Sequence, residues 1–311
     1  MENAGTTGFQ NDETGENNQV SSNTLGIGGG RLVIVAGPCV LESLELGLSV
    51  AAKLAEECRV RGLGYIFKAS FDKANRTSIY SNRGPGLETG LEWLARIKGE
   101  TGVQVLTDIH EPCQAERIAE VADMIQIPAF LCRQTDLLVS ASGTGRPLNV
   151  KKAQFLAPED MASVVEKCRE SGASGIVLCE RGTSFGYHRL VVDFRSLVLM
   201  RSCRVPVMFD ATHSVQSPGG LGNASGGDRR FILPLVRAAL AIGVDSVFME
   251  VHPSPDEALS DGANMAPLSS IPFLLDDIAA FDRLSRARGF AGLDWAEKHL
   301  FSGPGDYYGV G

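Results

Sequence analysis

The sequence predicts an α/β fold, a single-domain (β/α)8 TIM barrel, and three observations lead to that prediction. Short apolar or β-branched runs alternate with longer stretches of helical period from Arg31 to about residue 290. There are eight such pairs, and 311 residues are enough to bury one barrel-sized core. Polar and ionisable residues also cluster where the predicted strands end, and in a barrel those ends converge on one face. A doubly wound open sheet is the alternative, but it seldom needs eight such units.

The predicted strands are short and mostly apolar, as buried parallel strands are. They cover residues 32–36, 65–67, 104–107, 124–127, 148–150, 175–178, 205–209 and 246–249. The predicted helices cover residues 42–61, 86–99, 114–121, 134–142, 158–171, 193–202, 229–242 and 268–288. Strands and helices in strict alternation favour a parallel sheet.

The two ends of the chain differ from the barrel. Residues 1–30 are rich in Asn, Gly, Thr, Ser and Glu and have almost no large apolar side chains, so we expect a disordered tail. The catalytic barrel is expected over residues 31–290, and residues 291–311 form a C-terminal extension.

Composition and charge narrow the class of protein. A net charge of -8 argues against a nucleic-acid partner and against an anionic membrane surface. No apolar run approaches the roughly 18 residues of a membrane span, and the N-terminus has no signal pattern, so a cytoplasmic protein is expected. The seven cysteines are widely spread without a C-x-x-C pair, which argues against a disulfide framework and against a Cys-paired zinc finger.

Basic residues collect at the predicted strand ends despite the acidic total. The richest stretch, residues 64–77, places two lysines, an arginine and several neutral hydrogen-bonding side chains after the second strand. Such a set suits a ligand with more than one anionic group, although a solvated basic loop is the simpler alternative. Arg133 could instead make a surface or subunit contact, and Lys152 could point to solvent. The cations are Lys68, Lys73, Arg76, Arg133, Lys151 and Arg181.

A second set of residues has the donor types of a metal site. Cys39, His213, Glu250 and Asp261 follow the first, seventh and eighth strands, and one thiolate, one imidazole and two carboxylates suit a single divalent ion. Taken alone the set is weak, since any barrel has such residues near its mouth. The glycine-rich residues 217–228 are either a lid or a plain connection.

At this point several motifs resemble the 3-deoxy-D-manno-octulosonate 8-phosphate synthase family. They are VAGPCVLES (35–43), FKASFDKANRTS (67–78), RGPGLE (83–88), TDIHEP (107–112), QIPAFLCRQTD (126–136), NVKK (149–152), CERG (179–182), FDATH (209–213) and EVHP (250–253). The resemblance covers about residues 31–285, and several of the motifs are long.

The resemblance implies an enzyme that condenses phosphoenolpyruvate with D-arabinose 5-phosphate in lipopolysaccharide synthesis. It implies that Lys68, Ser70, Lys151 and Arg181 hold phosphoenolpyruvate, and that Asn75, Arg76 and Thr77 hold the pentose phosphate, with Thr77 in place of an expected Ser. It places Lys68, Lys73, Asp108 and His213 among the catalytic residues and Gln126 and Ala129 among the substrate-binding ones. It also implies a homotetramer in which Arg133 reaches toward the neighbouring site.

Members of that family divide into metal-dependent enzymes with Cys in the first motif and metal-independent enzymes with Asn there. Cys39 places this chain with the first group, which implies one divalent ion (Fe, Zn, Mn or Co) on Cys39, His213, Glu250 and Asp261.

Two other functions stay open. The related 3-deoxy-D-arabino-heptulosonate 7-phosphate synthase uses erythrose 4-phosphate, but there Lys-Pro-Arg is expected after the second strand, where this chain has Lys-Ala-Ser. A barrel that only binds a sugar phosphate is the third possibility, against which the full cation and metal sets argue.

Overall fold

The computed structural model describes residues 24–76, 78–218, 226–290 and 292–293. Eight parallel strands form a closed barrel in which each strand pairs with the next and the eighth pairs with the first. The predicted (β/α)8 barrel is confirmed. The strands are β1 (Val33–Gly37), β2 (Gly64–Lys68), β3 (Gln104–Asp108), β4 (Met124–Ile127), β5 (Leu148–Lys151), β6 (Ile176–Glu180), β7 (Val207–Asp210) and β8 (Ser246–His252).

Within the described residues, one α-helix follows each of the eight barrel strands. All lie within a few residues of the predicted positions, and Ser43 caps the first by accepting a hydrogen bond from the Leu46 amide at 3.1 Å. The helices are α1 (Leu44–Val60), α2 (Leu87–Thr101), α3 (Ala115–Ala119), α4 (Thr135–Gly143), α5 (Met161–Glu170), α6 (Arg195–Arg201), α7 (Ile232–Ile242) and α8 (Ile271–Arg288).

The alternation of side chains along each strand creates two cores. Alternate strand residues point into the barrel, where Val35, Ile66, Leu106 and Phe248 belong to one buried cluster. The residues between them point outward and pack against the helices in a second, larger cluster. This alternation decides which of the polar residues at the strand ends face the barrel axis.

The predicted boundary of the N-terminal tail is wrong by several residues. Residues 24–30 form turns at the base of the barrel, and the side chain of Ile27 is buried against the interior cluster, with Leu25 packed beside it. A composition averaged over thirty residues hides these two apolar side chains. Residues 1–23 and most of 291–311 lie outside the described residues.

Two additions were not predicted. A hairpin of Thr183–Gly186 and Arg189–Val191 follows β6, and β8 runs three residues past its predicted end. At the glycine-rich connection after β7, Gln216–Ser217 pairs with Gly226–Gly227, while residues 219–225 lie outside the described residues. The seven cysteines are free thiols. Within the described ranges, no helix combines the length and the apolar character that crossing a membrane requires.

Candidate active site at the mouth of the barrel

A cavity of about 800 Å³ opens at the C-terminal ends of the strands. Its walls come from the ends of β2 to β5 and from the loops that follow β2 to β8. Of the residues predicted for the site, it is lined by Lys68, Lys73, Asn75, Arg76, Asp108, Gln126, Ala129, Lys151, Arg181, His213 and Asp261. The barrel therefore gathers residues that are far apart in the sequence.

The floor of the cavity carries buried cations. Lys68 and Lys151 end their strands on the inward-facing side, and both side chains are almost fully buried. The Lys151 ammonium lies 3.4 Å from the centroid of the Phe248 ring, which closes the barrel interior beneath it. Lys151 also forms a close ion pair with the buried carboxylate of Asp210. Burial lowers the pKa of Lys68, an effect to which the neighbouring charge of Lys73 adds.

Two acid–histidine pairs flank these lysines. His110 Nε2 lies 3.1 Å from Asp108 Oδ2, and His213 Nδ1 lies 2.8 Å from Asp210 Oδ2. Burial alone would raise the pKa of Asp210, but the charges of His213 and Lys151 hold it well below its usual range. Asp210 was not predicted as a site residue, although its position in Phe-Asp-Ala-Thr-His, two residues after the inward-facing Met208, was a usable signal.

Three of the four predicted metal ligands lie together. The donor atoms of Cys39, Glu250 and Asp261 are all within 4.8 Å of one another. His213 is beside this group rather than part of it, with its Nε2 3.6 Å from Glu250 Oε1. Asp261 has the left-handed backbone conformation, with φ of 51°, and Gln216 Nε2 donates a hydrogen bond of 3.0 Å to its Oδ1.

The chemistry of this donor set fits a divalent cation. Both carboxylate oxygens of Glu250 are buried and accept no hydrogen bond from the described residues, so their lone pairs are free to coordinate a cation. Burial alone would raise the pKa of Glu250, but His213, Lys73 and Lys68 bring it down to about 2, so the group is an anion. Burial and then Glu250 raise the pKa of the Cys39 thiol, which donates to Asp261 Oδ2 at 3.3 Å. A bound cation would deprotonate this thiol.

The loop after β2 contacts the loop that carries Asp261. Arg76 donates hydrogen bonds from Nη1 to Ser260 Oγ at 2.7 Å and from Nη2 to the Leu259 carbonyl at 3.2 Å. Ser260 Oγ in turn lies 3.2 Å from Cys39 Sγ. Neither Leu259 nor Ser260 was predicted for the site, because nothing in the sequence after β8 fixes how that loop folds back.

Of the described residues that were predicted to bind substrate, two do not line the cavity. Ser70 is buried behind it, where its hydroxyl accepts a hydrogen bond of 3.1 Å from Lys68 Nζ. Arg133 is exposed outside the cavity, and Thr77 lies outside the described residues. Lys152, for which a solvent-facing position was considered, is fully buried.

Comparison with known proteins gives a consistent result. The model of the DAHP synthetase I family matches residues 14–276. A 2-dehydro-3-deoxyphosphooctonate aldolase of Nitratidesulfovibrio vulgaris is 60% identical over 250 residues, which are 80% of this chain and 92% of that protein. Proteins of the same name from Fusobacterium nucleatum and from a Cyanothece species are 55% and 57% identical, over 86% and 82% of this chain and 96% and 94% of theirs.

These names denote the enzyme that the sequence motifs resemble, so the resemblance is confirmed. On this match, which extends over most of its length, the chain belongs to the DAHP synthetase I family.

Proposed function

We propose that this protein catalyses the condensation of phosphoenolpyruvate with D-arabinose 5-phosphate and water to 3-deoxy-D-manno-octulosonate 8-phosphate and inorganic phosphate. One observation carries the proposal. An acidic chain places five cations around a single cavity and sets three residues with metal-ligand side chains beside it. Two phosphates and a carboxylate, the charges of these two substrates, account for that concentration of positive charge.

The buried lysines suit phosphoenolpyruvate. The ammonium groups of Lys68 and Lys151 lie over the Phe248 ring, 5.5 and 3.4 Å from its centroid. Arg181 extends a guanidinium whose Nη2 donates to two neutral acceptors, the His213 carbonyl at 3.2 Å and Gln216 Oε1 at 3.0 Å. The Arg181 Nε is buried without a hydrogen-bond partner among the described residues. An anion between these groups would satisfy it. Ser70 supports Lys68 from behind.

The outer part of the cavity suits the pentose phosphate. Asn75 and Arg76 lie on the loop after β2, and the Arg76 guanidinium is only partly buried. We assign the sugar phosphate to these two residues and to Thr77. Gln126 and Ala129, from the end of β4 and the following turn, would line the path of the sugar between them and the lysines.

The reaction forms one carbon–carbon bond and breaks one carbon–oxygen bond. The methylene carbon of phosphoenolpyruvate attacks the aldehyde carbon of the sugar, whose oxygen becomes a hydroxyl. Water adds to the carbon that carries the phosphate, and phosphate leaves with the bridging oxygen. We assign the delivery and removal of protons to Lys73 and to the Asp108–His110 and Asp210–His213 pairs, which are hydrogen-bonded at 3.1 and 2.8 Å. Positioning with fixed charge would supply most of the acceleration.

We also propose that one divalent ion (Fe, Zn, Mn or Co) is held by Cys39, Glu250 and Asp261, with His213 completing the set. When bound, the ion would orient the substrates and a water molecule. Donor type alone does not choose among these metals.

We further infer a cytoplasmic homotetramer. Large apolar side chains are exposed on the loops beyond the C-terminal strand ends, among them Phe130, Phe155, Phe185 and Tyr187. Arg133 lies on the loop that carries Phe130. A contact between copies would cover such a surface and give Arg133 a neighbouring site to reach.

Phosphate release separates the proposed function from its alternatives. With phosphoenolpyruvate present, we expect release on addition of arabinose 5-phosphate and little release with erythrose 4-phosphate. The reverse preference would indicate the heptulosonate synthase. Binding of arabinose 5-phosphate without any phosphate release would indicate a sugar-phosphate-binding barrel.

A further inference from the structure

A buried ion pair lies behind the cations of the cavity, on the outward side of the same two strand ends. Lys152 and Glu180 are both completely buried, and Lys152 Nζ lies 3.4 Å from Glu180 Oε2. Lys152 directly follows Lys151, and Glu180 directly precedes Arg181. Because successive side chains alternate along a strand, Lys151 and Arg181 face the cavity while Lys152 and Glu180 face the layer between barrel and helices.

The Glu180 carboxylate holds the backbone that carries Arg181. Its Oε1 accepts hydrogen bonds from the Arg181 amide at 3.0 Å and from the Gly182 amide at 2.6 Å. Gly182 has φ of +90°, so the chain turns sharply here in a conformation that glycine adopts readily. Glu180 Oε2 accepts a hydrogen bond of 2.7 Å from Ser196 Oγ, which ties the turn to α6.

The Lys152 ammonium ties the other strand end to the same place. It donates to the Thr183 hydroxyl at 3.1 Å and to the carbonyls of Ala153 and Leu156 at 3.4 and 3.3 Å. The Lys152 amide also donates to the Cys179 carbonyl at 2.8 Å. The ends of β5 and β6 and the start of the hairpin are therefore joined through one ammonium and one carboxylate.

A buried ion pair contributes little net stability to a core. Desolvating two charges offsets much of their attraction, and apolar residues of similar volume often stabilise a fold as well or better. Every charged atom here is nonetheless matched to a backbone or hydroxyl group that sets the path of the chain around Lys151 and Arg181.

We propose that Lys152 and Glu180 are positioning residues that fix Lys151 and Arg181 at the spacing needed to bind phosphoenolpyruvate. The proposal rests on the proposed function, since it assigns phosphoenolpyruvate to these two cations. The pair touches neither substrate and acts only through its chain neighbours. Disturbing the pair should therefore weaken the binding of phosphoenolpyruvate. The binding of the pentose phosphate, which we assign to the loop after β2, should be unaffected.

The test uses Lys152→Met, Glu180→Gln and the double variant in the full-length protein. Each single variant leaves one buried charge unpaired, so we expect the KM for phosphoenolpyruvate to rise at least tenfold and the KM for arabinose 5-phosphate to change less than twofold. The double variant removes both charges, so we expect its KM for phosphoenolpyruvate to lie between those of the parent and of Lys152→Met. Lys53→Met, which breaks a half-exposed ion pair on α1, is the matched control and should leave both KM values unchanged.

Melting temperature and direct binding distinguish positioning from general destabilisation. Calorimetric titration with phosphoenolpyruvate alone, on single variants whose circular dichroism matches that of the parent, should show a rise in the Kd for phosphoenolpyruvate that parallels the rise in its KM. A fall in melting temperature with unchanged phosphoenolpyruvate affinity, or equal effects on both substrates, would overturn the positioning role. If the parent protein binds phosphoenolpyruvate but releases no phosphate with either sugar, the proposed function fails while the binding comparison still decides the role of the pair. If the parent does not bind phosphoenolpyruvate, both fail.

Discussion

Replacing Arg76 by Ala is the most direct test of where the sugar phosphate binds. Arg76 is held by three neutral acceptors, the Asn82 and Leu259 carbonyls and the Ser260 hydroxyl. A phosphate dianion would replace some of these with hydrogen bonds in which the acceptor is charged as well as the donor, and hydrogen bonds to charged groups contribute about 1.5–3 kcal/mol. The energy lost on truncation is therefore substantial but not the full value of a new contact.

The size of the effect follows from the exposure of the side chain. A loss of about 1.5–3 kcal/mol corresponds to roughly a 10- to 150-fold change, since each 1.36 kcal/mol is a factor of ten. Arg76 is partly exposed and must first leave Ser260 and Leu259, so we expect the lower part of that range, about 10- to 30-fold. The change should be in the KM for arabinose 5-phosphate, with the KM for phosphoenolpyruvate altered less than twofold.

The assay is initial-rate phosphate release with each substrate varied in turn. Arg83→Ala is the matched control, because Arg83 belongs to the same connection but pairs with Asp72 and does not line the cavity. Arg76→Lys, which keeps the charge and loses the planar fork, should fall between the parent and Arg76→Ala. Equal rises in both KM values, or an unchanged KM for the sugar, would refute the assignment.

Three further predictions concern the ends, the metal and the assembly. A chain that begins at residue 24 should keep its turnover and melting temperature. A chain that begins at residue 31 should melt measurably lower, and so should Ile27→Ala alone, which we expect to lose about 2–5 kcal/mol of stability. Equal melting temperatures would contradict the packing of residues 24–30. A strong chelator should abolish turnover, with Mn, Co, Fe or Zn restoring it to different extents, and Cys39→Asn should retain less metal on elemental analysis after dialysis; full activity of metal-free parent protein would remove the metal from the mechanism. Phe185→Ser with Tyr187→Ser should reduce the mass measured by light scattering, and an unchanged tetramer would place the contact elsewhere.

The barrel was predictable because its pattern repeats. Eight apolar strands alternate with eight amphipathic helices, and each repeat supports the same interpretation. The inward-facing cations were predictable in part, since Lys68 lies two residues after Ile66 in a strand whose alternate side chains face one core. No tertiary contact is needed for that inference.

Contacts between distant loops were not predictable in the same way. Ser260 and Leu259 reach Arg76 only because the chain after β8 folds back over the mouth, and no local pattern encodes that path. Lys152 is buried because Glu180 lies across from it on the neighbouring strand, and a lone sequence does not show which strand-end residues are partners. Ile27 was missed for a different reason, since its polar neighbours dominate the composition around it.

Charge compensation links the metal group to the anion site. The ammonium groups of Lys68 and Lys73 lie 3.6 and 3.8 Å from the same oxygen of Glu250, and Lys151 is paired with Asp210. These carboxylates are the counterions that allow two buried lysines and the partly buried Lys73 to lie close together. A divalent ion on Cys39, Glu250 and Asp261 would engage the charge of Glu250, and Lys68 and Lys73 would then need another anion. The phosphate or carboxylate of a substrate is the anion of suitable size for the cavity beside them, so occupation of the metal group and occupation of the anion site should favour one another.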